Sequence, residues 1–301
     1  MKSAKGNLKQ QLIEFQKFST GRSQINKEVI SHTMGHVTRI MSGVQSARKS
    51  IKLSERMDTS NRPQATEEFW NNLKVHAKSL GIDLIGFTEV DEYYIFEEEM
   101  VGYRVKNKVL DNAIVLGMEM KKEAINQAPE PPAGNEAMRV YADLGAATVK
   151  LAEHLREKGF RAQAFHPFGG PVLYPPMAEK AGLGEIGVNG LLITREFGPS
   201  LRLSTIATDA GPLPETKPSA MRVKDFCKNC GACVKKCPGN AILAFDEKII
   251  RENGKYLTSI DSEKCFPHFF KTYGCSICIK TCPFFKVGYE KVMAKASIKT
   301  R

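Results

Sequence analysis

All eight cysteines of this 301-residue chain lie between Cys227 and Cys282. The first four read Cys227-x2-Cys230-x2-Cys233-x3-Cys237-Pro238. In that spacing three thiolates on a tight loop cap three irons of one 4Fe-4S cubane, while the fourth, set before proline, reaches a second cubane. The second group opens more loosely, with Cys265, nine intervening residues, then Cys275-x2-Cys278-x3-Cys282-Pro283. The reciprocal pattern closes. One cluster is therefore assigned to Cys227, Cys230, Cys233 and Cys282, the other to Cys265, Cys275, Cys278 and Cys237. A pair of zinc sites would also use C-x2-C pairs, but zinc gives no reason for two Cys-Pro terminations or for the crossed count. So local a concentration of thiols does not suit a disulfide scaffold; it points to metal in a reducing compartment. His268 reads as a neighbour of the site, since the cysteine count is complete without it.

Two cubanes held this way form a path for electrons, and a path needs a terminus. A plain two-cluster carrier needs only the segment that bears the cysteines, whereas more than 200 residues precede Cys227. Those residues hold a second redox centre or bind a partner that does. One motif among them looks like a nucleotide site: Gly182-Leu183-Gly184-Glu185-Ile186-Gly187 matches the GxGxxG fingerprint. Its surroundings do not. A dinucleotide loop leaves a buried strand and opens a helix, but this one follows PPMAEKA, which reads as a helical turn, and runs into apolar LLIT. Glycines so closely set let backbone approach a large flat ligand or another backbone.

The elements that must position this chemistry are legible in the hydrophobic spacing. Residues 1–62 are polar and helix-permissive, with Leu12, Phe15, Phe18, Ile30, Val37, Ile40 and Met41 at loose helical intervals, and SERMDTSNRPQAT then reads as a linker. The stretch EEFWNNLKVHAKSLG predicts a helix with Phe69, Leu73, His76 and Leu80 on one stripe, capped by Thr66 and Gly81. Strands are expected at Leu84–Phe87 and Ala113–Met118. NQAPEPPAGNEA reads as a break before an amphipathic helix over Glu136–Lys158 with Gly159 as its C-cap. A strand at Ala162–Phe165, the turn-rich HPFGGPVLYPP, a short helix over Met177–Ala181 and apolar runs at Leu191–Thr194 and Leu201–Thr208 follow.

Composition bounds the rest. A hydrophobic content of 42% supports a packed core. No 18-residue apolar run is present, and MKSAKGNLKQQLIEF has neither an apolar signal core nor a twin-arginine pair, so the expectation is a cytoplasmic protein without a membrane span. The net charge of +11 is uneven: residues 1–62 carry 12 Lys+Arg against 4 Asp+Glu, and residues 221–301 carry 16 against 7. Basic flanks suit an acidic electron donor, such as a flavodoxin, ferredoxin or other flavoprotein, or a nucleic acid; they also suit a plain solvated surface.

The segment AEKAGLGEIGVNGLLITREFGPSLRLSTIATDAGPLPETKP, Ala178–Pro218, running into the first cysteine motif, resembles the cobalamin-dependent reductive dehalogenases and, more distantly, the epoxyqueuosine reductases of the same superfamily. The likeness covers about 220 residues, from the Trp70 helix to Cys282. It implies an α+β architecture with a nitroreductase-like corrinoid and substrate domain (63–220) and a ferredoxin-like domain with two 4Fe-4S clusters (221–301); the basic helical arm (1–62), read from its own apolar spacing, lies outside the likeness. It implies base-off cobalamin beside one cluster, and a reductive cleavage of a carbon–halogen bond or the deoxygenation of an epoxide-derived substrate. By position in the matching pattern, Tyr141 in RVYADLG stands where the dehalogenases have their proton donor, and Arg202 in GPSLRL stands where they have its basic helper. A guanidinium beside a phenol steadies the anion left by the proton. Asp143 stands near the aspartate that the epoxyqueuosine branch uses. His166 and Tyr174 are candidates for the substrate pocket. Gly169, Gly170, Gly182, Gly184, Gly190, Leu191, Ile193 and Thr208 are candidates for the corrin cradle.

The chain departs from the dehalogenase pattern in having Val188 where a basic residue is usual, in lacking the export signal and in its short length. Those departures weaken dehalogenation and leave corrinoid-linked reduction standing. A possible homodimer, a non-catalytic electron-transfer or activase role, and a tRNA-directed reductase remain as alternatives.

Overall fold

The computed structural model describes residues 27–58, 60, 62–96, 108–250, 256–271 and 274–298. The expected apolar positions Leu12, Phe15 and Phe18 lie outside them. Helix α1 (Lys27–Glu55) is followed by α2 (Glu67–Ser79), whose first turn is capped by the Thr66 hydroxyl accepting from Phe69 N–H at 3.2 Å. Its buried face is Trp70, Leu73 and Ala77 rather than the Phe69, Leu73, His76, Leu80 stripe. The indole decides the rotation: Trp70 Nε1 donates to the Pro212 carbonyl at 2.9 Å, so burying the ring costs no unpaired donor.

Strands β1 (Leu84–Glu89) and β2 (Asn112–Glu119) come next, then a single turn α3 (Lys122–Ile125) and the long helix α4 (Pro131–Glu157). Helix α4 begins five residues earlier than its sequence pattern suggests. Pro131 sits in the first turn, where a backbone N–H would have no partner anyway, so proline there starts a helix instead of breaking one. The same physics moves the short helix after β3 (Ala162–Phe165): α5 spans Tyr174–Lys180, with Pro175 and Pro176 inside its opening turn. Gly159, at φ +89°, ends α4 as expected. A two-residue hairpin, β4 (Glu185–Ile186) with β5 (Leu192–Ile193), precedes β6 (Leu201–Thr208).

The main sheet is antiparallel throughout, in the order β1-β2-β6-β3. Such a sheet offers no parallel crossover for a dinucleotide loop, in keeping with the discounted GxGxxG run. Its two faces are separate cores. Ile114, Leu116 and Ile206 pack with Leu144, Leu151 and Leu155 of α4, whereas Ala113, Val115, Leu201 and Leu203 pack with Met177 and Ala178 of α5. This is period-2 alternation buried on both sides. Helix α1 lies along α4 and β3, burying Ile40 and Ala47, with Met41 exposed. Buried Ser50 joins them, its hydroxyl accepting from Ala164 N–H at 3.2 Å and from Arg156 at 2.7 Å.

The cysteine-bearing segment comprises α6 (Val223–Cys230), α7 (Ala232–Lys236), the small ladder β7 (Ile249–Ile250) with β8 (Leu257–Thr258), α8 (Ser262–Lys271), α9 (Ile277–Lys280), α10 (Pro283–Val287) and α11 (Tyr289–Ile298). It shares one hydrophobic core with the sheet and α4, through Val188, Cys227, Ile279 and Phe284. No helix among the described residues is long and apolar enough to cross a membrane.

Candidate functional site

On α4, Tyr141, Gly145 and Thr148 fall four and three residues apart, so they share one face, and that face meets β6 and the end of β3. Thr148 Oγ1 lies 2.7 Å from Ser204 Oγ. Two turns back along α4, Tyr141 meets β6 again: Arg202 places its guanidinium carbon 4.7 Å from the Tyr141 ring centroid, and Phe168 meets the same ring edge-on at 5.5 Å. Arg202 Nε is buried without a hydrogen-bond partner. A permanent cation therefore lies over the face of a phenol in a partly desolvated site.

His166 completes the cluster. It is 1% exposed, its Nδ1 accepts from Phe168 N–H at 3.0 Å, and its Nε2 is buried without a partner. An accepting Nδ1 leaves Nε2 to carry the proton. Burial pushes the imidazole down to about 4, so it is neutral at neutral pH. The ring fits only because two helices have no side chain opposite it: a Cβ on Gly145 would stand 2.0 Å from Nε2, and one on Gly43 of α1 would stand 2.8 Å away. A glycine in a helix interior costs roughly 1 kcal/mol against alanine, so DLGAAT carried a signal of close approach that hydrophobic spacing alone passes over.

Asp143 points elsewhere. Its carboxylate pairs with Arg39 of α1 and accepts from Arg139 Nη1 at 2.7 Å. Arg139 also grips Glu136 at 2.7 and 2.8 Å, and Glu136 accepts from Lys121 N–H at 2.7 Å. Burial alone would raise the Glu136 carboxyl, but the Arg139 and Lys121 hydrogen bonds outweigh it and hold the group below the usual carboxylate range. Residues 136, 139 and 143 thus form a charged face of α4 locked to α1, separate from the Tyr141 face. Sequence reasoning missed Arg39, Arg139, Phe168, Gly43 and Gly145, because their partners are brought together only by packing.

The thiols gather in two groups. Cys227, Cys230 and Cys233 from α6 and α7 line one cavity together with Cys282, which precedes α10. Val188, Asn189 and Ile193 from the β4–β5 hairpin close that cavity. Burial, with Cys227 and Cys230 nearby, pushes Cys233 up to about 11; burial, against two backbone hydrogen bonds, pushes Cys282 up to about 12. In the other group burial and then Cys237 and Cys275 raise Cys265 to about 11, and burial with Cys265 and Cys275 raises Cys278. Among the described residues no three His, Cys, Asp or Glu groups converge as ligands of a single ion. Crowded, desolvated thiols that resist ionisation until cations offset their mutual repulsion fit a multi-iron group. Ala241 N–H donates to Cys237 Sγ at 3.3 Å, a bond of the kind that tunes cluster potential.

A family model, the 4Fe-4S double cluster binding domain, matches residues 226–285. The chain is 35% identical over 255 residues to an epoxyqueuosine reductase of Aliivibrio fischeri, covering 72% of this chain and 67% of that protein. It is 31% identical over 218 residues to a tetrachloroethene reductive dehalogenase of Desulfitobacterium hafniense, covering 69% of this chain and 37% of that protein. This chain belongs to the superfamily of reductive dehalogenases and epoxyqueuosine reductases. It carries two 4Fe-4S clusters in the double-cluster domain. A catabolic reductive dehalogenase solved with 3-bromo-4-hydroxybenzoic acid superimposes with a TM-score of 0.70 at 22% identity over 88% of this chain and 39% of that one, which shows the shared fold. The chain spans just over a third of the length of that Desulfitobacterium hafniense dehalogenase.

Within this superfamily fold, the positions marked for a corrin cradle fall in three places. Gly169 donates its N–H to the His166 carbonyl at 3.0 Å, and Gly170 makes room for Tyr174, whose hydroxyl donates to the same carbonyl at 2.8 Å. Gly182, Gly184 and Gly190 stand where other parts of the chain come close: a Cβ on them would lie 2.5 Å from the Lys217 carbonyl, 2.3 Å from the Ile193 carbonyl and 2.6 Å from Ile260. Ile193 is on the wall of the thiol cavity, and Leu191 is half-buried beside it. Thr208 is not brought to Tyr141; it lies six residues beyond Arg202 on β6, about 20 Å along the strand, and donates to the Arg161 carbonyl at 2.7 Å.

Proposed function

We propose that the chain is a cytoplasmic corrinoid- and iron–sulfur-dependent reductase in which Tyr141 donates the proton that completes reductive cleavage of a small organic substrate. The observation that carries this reading is the contrast on α4: Tyr141 is free to act under the Arg202 guanidinium, while Asp143 is held by two arginines. When bound, cobalamin would supply a low-valent cobalt able to break a bond between carbon and an electronegative atom. The residues present suit such a group. Arg202 Nε is a buried donor without an acceptor, beside Tyr141, and the amide-rich edge of a corrinoid offers acceptors.

The chain's own groups then have distinct tasks. The Tyr141 hydroxyl gives its proton to the carbon left with excess charge, and Arg202 holds the resulting phenolate in place. Neutral His166 fills the space between Gly43 and Gly145 without adding a second positive charge. Phe168 covers the ring and excludes water. The assignment of Cys227, Cys230, Cys233 and Cys282 to one cluster and Cys237, Cys265, Cys275 and Cys278 to the other gives the electrons their route.

The test is anaerobic reconstitution with iron, sulfide and cobalamin. Uptake of one cobalamin per chain with about eight irons, read by cobalt and iron analysis, supports the reading; full iron loading with no cobalt overturns it. A second reading, reduction of a modified base in tRNA, is favoured by the likeness to an epoxyqueuosine reductase. It requires Asp143 to leave Arg39 and Arg139 to serve as the acid. Loss of turnover in Asp143→Asn with Tyr141→Phe unaffected would establish it.

A further inference from the structure

Among the described residues, the cavity that gathers Cys227, Cys230, Cys233 and Cys282 has one polar residue on its wall besides the cysteines, Asn189. The rest of the lining, from Val188 and Ile193 to Phe226 and Phe284, is apolar. Asn189 is 4% exposed, and a buried carboxamide left short of partners is costly. Its Oδ1 is committed, accepting from Leu191 N–H at 3.3 Å inside the turn that joins β4 to β5. Gly187 makes room for that geometry, since a Cβ there would stand 3.0 Å from Oδ1. The amide nitrogen, with two protons to give, has no protein acceptor among the described residues.

The turn that carries Asn189 is riveted to the cysteine segment. Glu185, on β4, accepts from Arg222 N–H at 3.0 Å and from Val223 N–H at 2.7 Å, at the start of α6. Ser259, beyond the first cysteine motif, donates its hydroxyl to the Val188 carbonyl at 2.6 Å. Val188 in turn donates its N–H to the Cys227 thiol. The hairpin therefore cannot drift relative to the thiols, and it already gives one of them a hydrogen bond. It belongs to the chain that precedes both motifs, so donors that local cysteine spacing cannot supply are brought to these ligands by the fold.

We infer that Asn189 donates its amide N–H to a sulfur of the cluster held by Cys227, Cys230, Cys233 and Cys282, and thereby raises that cluster's reduction potential above what its ligands alone would set. An added electron increases the negative charge on the sulfurs, so a donor held against them stabilises the reduced form more than the oxidised one. No bond or proton is exchanged in that step. A side chain serving only the turn would use Oδ1 and ask nothing of Nδ2. Aspartate separates the two roles, because it keeps the acceptor for Leu191 N–H and replaces the donor by an anion. The inference rests on the clusters and not on the cobalamin or the acid of the proposed function.

The experiment titrates the full chain, loaded with both clusters, with dithionite in the presence of redox mediators, and follows each cluster by EPR. In Asn189→Asp and in Asn189→Leu one of the two midpoints should move to more negative potential, by about tenfold or more in the reduction equilibrium, which is about 59 mV for one electron. The other midpoint and the iron content should stay as in wild type. In wild-type protein carrying isotopically labelled asparagine, pulsed EPR of the reduced cluster should show a weak nitrogen coupling that Asn189→Asp loses. Unshifted midpoints in a fully loaded Asn189→Asp protein overturn the inference, as do equal shifts of both clusters. A shift in the aspartate variant alone overturns it too, since that would be the added charge and not the lost donor. Should neither variant load iron, the wild-type nitrogen coupling decides, and its absence overturns the inference. Protein that shows the shift but refuses cobalamin would sink the proposed function and leave this inference intact.

Discussion

The cysteine groups and the Tyr141 site lie in one continuous core, yet they are held by different means. Seven of the eight thiols sit within short runs, so that Cys227, Cys230 and Cys233 are gathered by two turns of chain. The Tyr141 site has no local frame at all. Tyr141, His166, Phe168 and Arg202 come from a helix, a strand end, a loop and a second strand, and Gly43 and Gly145 are needed to seat the imidazole. Local spacing suffices for a metal cluster because the ion supplies the binding energy once its ligands are near. A proton donor must instead be oriented by the fold, which makes its site depend on packing far from it.

That contrast can be broken most forcefully at Cys282. In the crossed arrangement Cys282→Ser should cost the cluster of the first motif, about four irons per chain by iron analysis, although Cys227, Cys230 and Cys233 are untouched. Loss confined to the cluster of Cys265, Cys275 and Cys278 would show the crossing to be wrong. Tyr141→Phe should leave iron content and visible spectrum as they are and reduce turnover by about 10²- to 10⁴-fold. Unchanged turnover with a partner enzyme present would make the chain a carrier.

The packing side of the comparison is sharpened by pH. His166 is held near 4 when folded and titrates near 6.5 when unfolded, so between those values the unfolded chain binds the proton and the native chain does not. Stability is therefore full above about pH 6.5 and is lost as pH falls towards 4, by up to roughly 3 kcal/mol. Urea midpoints at pH 7 and pH 5 should show this loss, and His166→Gln should flatten it; equal slopes for both proteins would refute it. Smallest is Trp70→Phe, which removes the bond to the Pro212 carbonyl and should cost about 1–2 kcal/mol in urea denaturation without altering iron content.

Much of the molecule could be read before it was folded. The strand Ala162–Phe165, the run Leu201–Thr208, the Thr66 cap and the Gly159 stop stand where hydrophobic period and backbone freedom put them. Two helix starts do not, because Pro131 and Pro175, residues that usually break helices, each occupy a first turn that has no N–H to lose. Trp70 falls outside the stripe that spacing predicts because its partner, Pro212, is 142 residues away. Neither the locking of Asp143 by Arg39 nor the orphaned Nε2 of His166 has a sequence signature, since each depends on which side of α4 meets which neighbour.

By itself, the order of residues determined the metal chemistry: thiols three and four apart must meet whatever the rest of the chain does, and Cys-Pro terminations fix their direction. Only the tertiary structure decided which candidate acid is free. Tyr141 and Asp143 are two residues apart on one helix, and a helix turns by about 200° over that distance, so one faces the buried sheet and Arg202 while the other faces Arg139 of the same helix and Arg39 of α1.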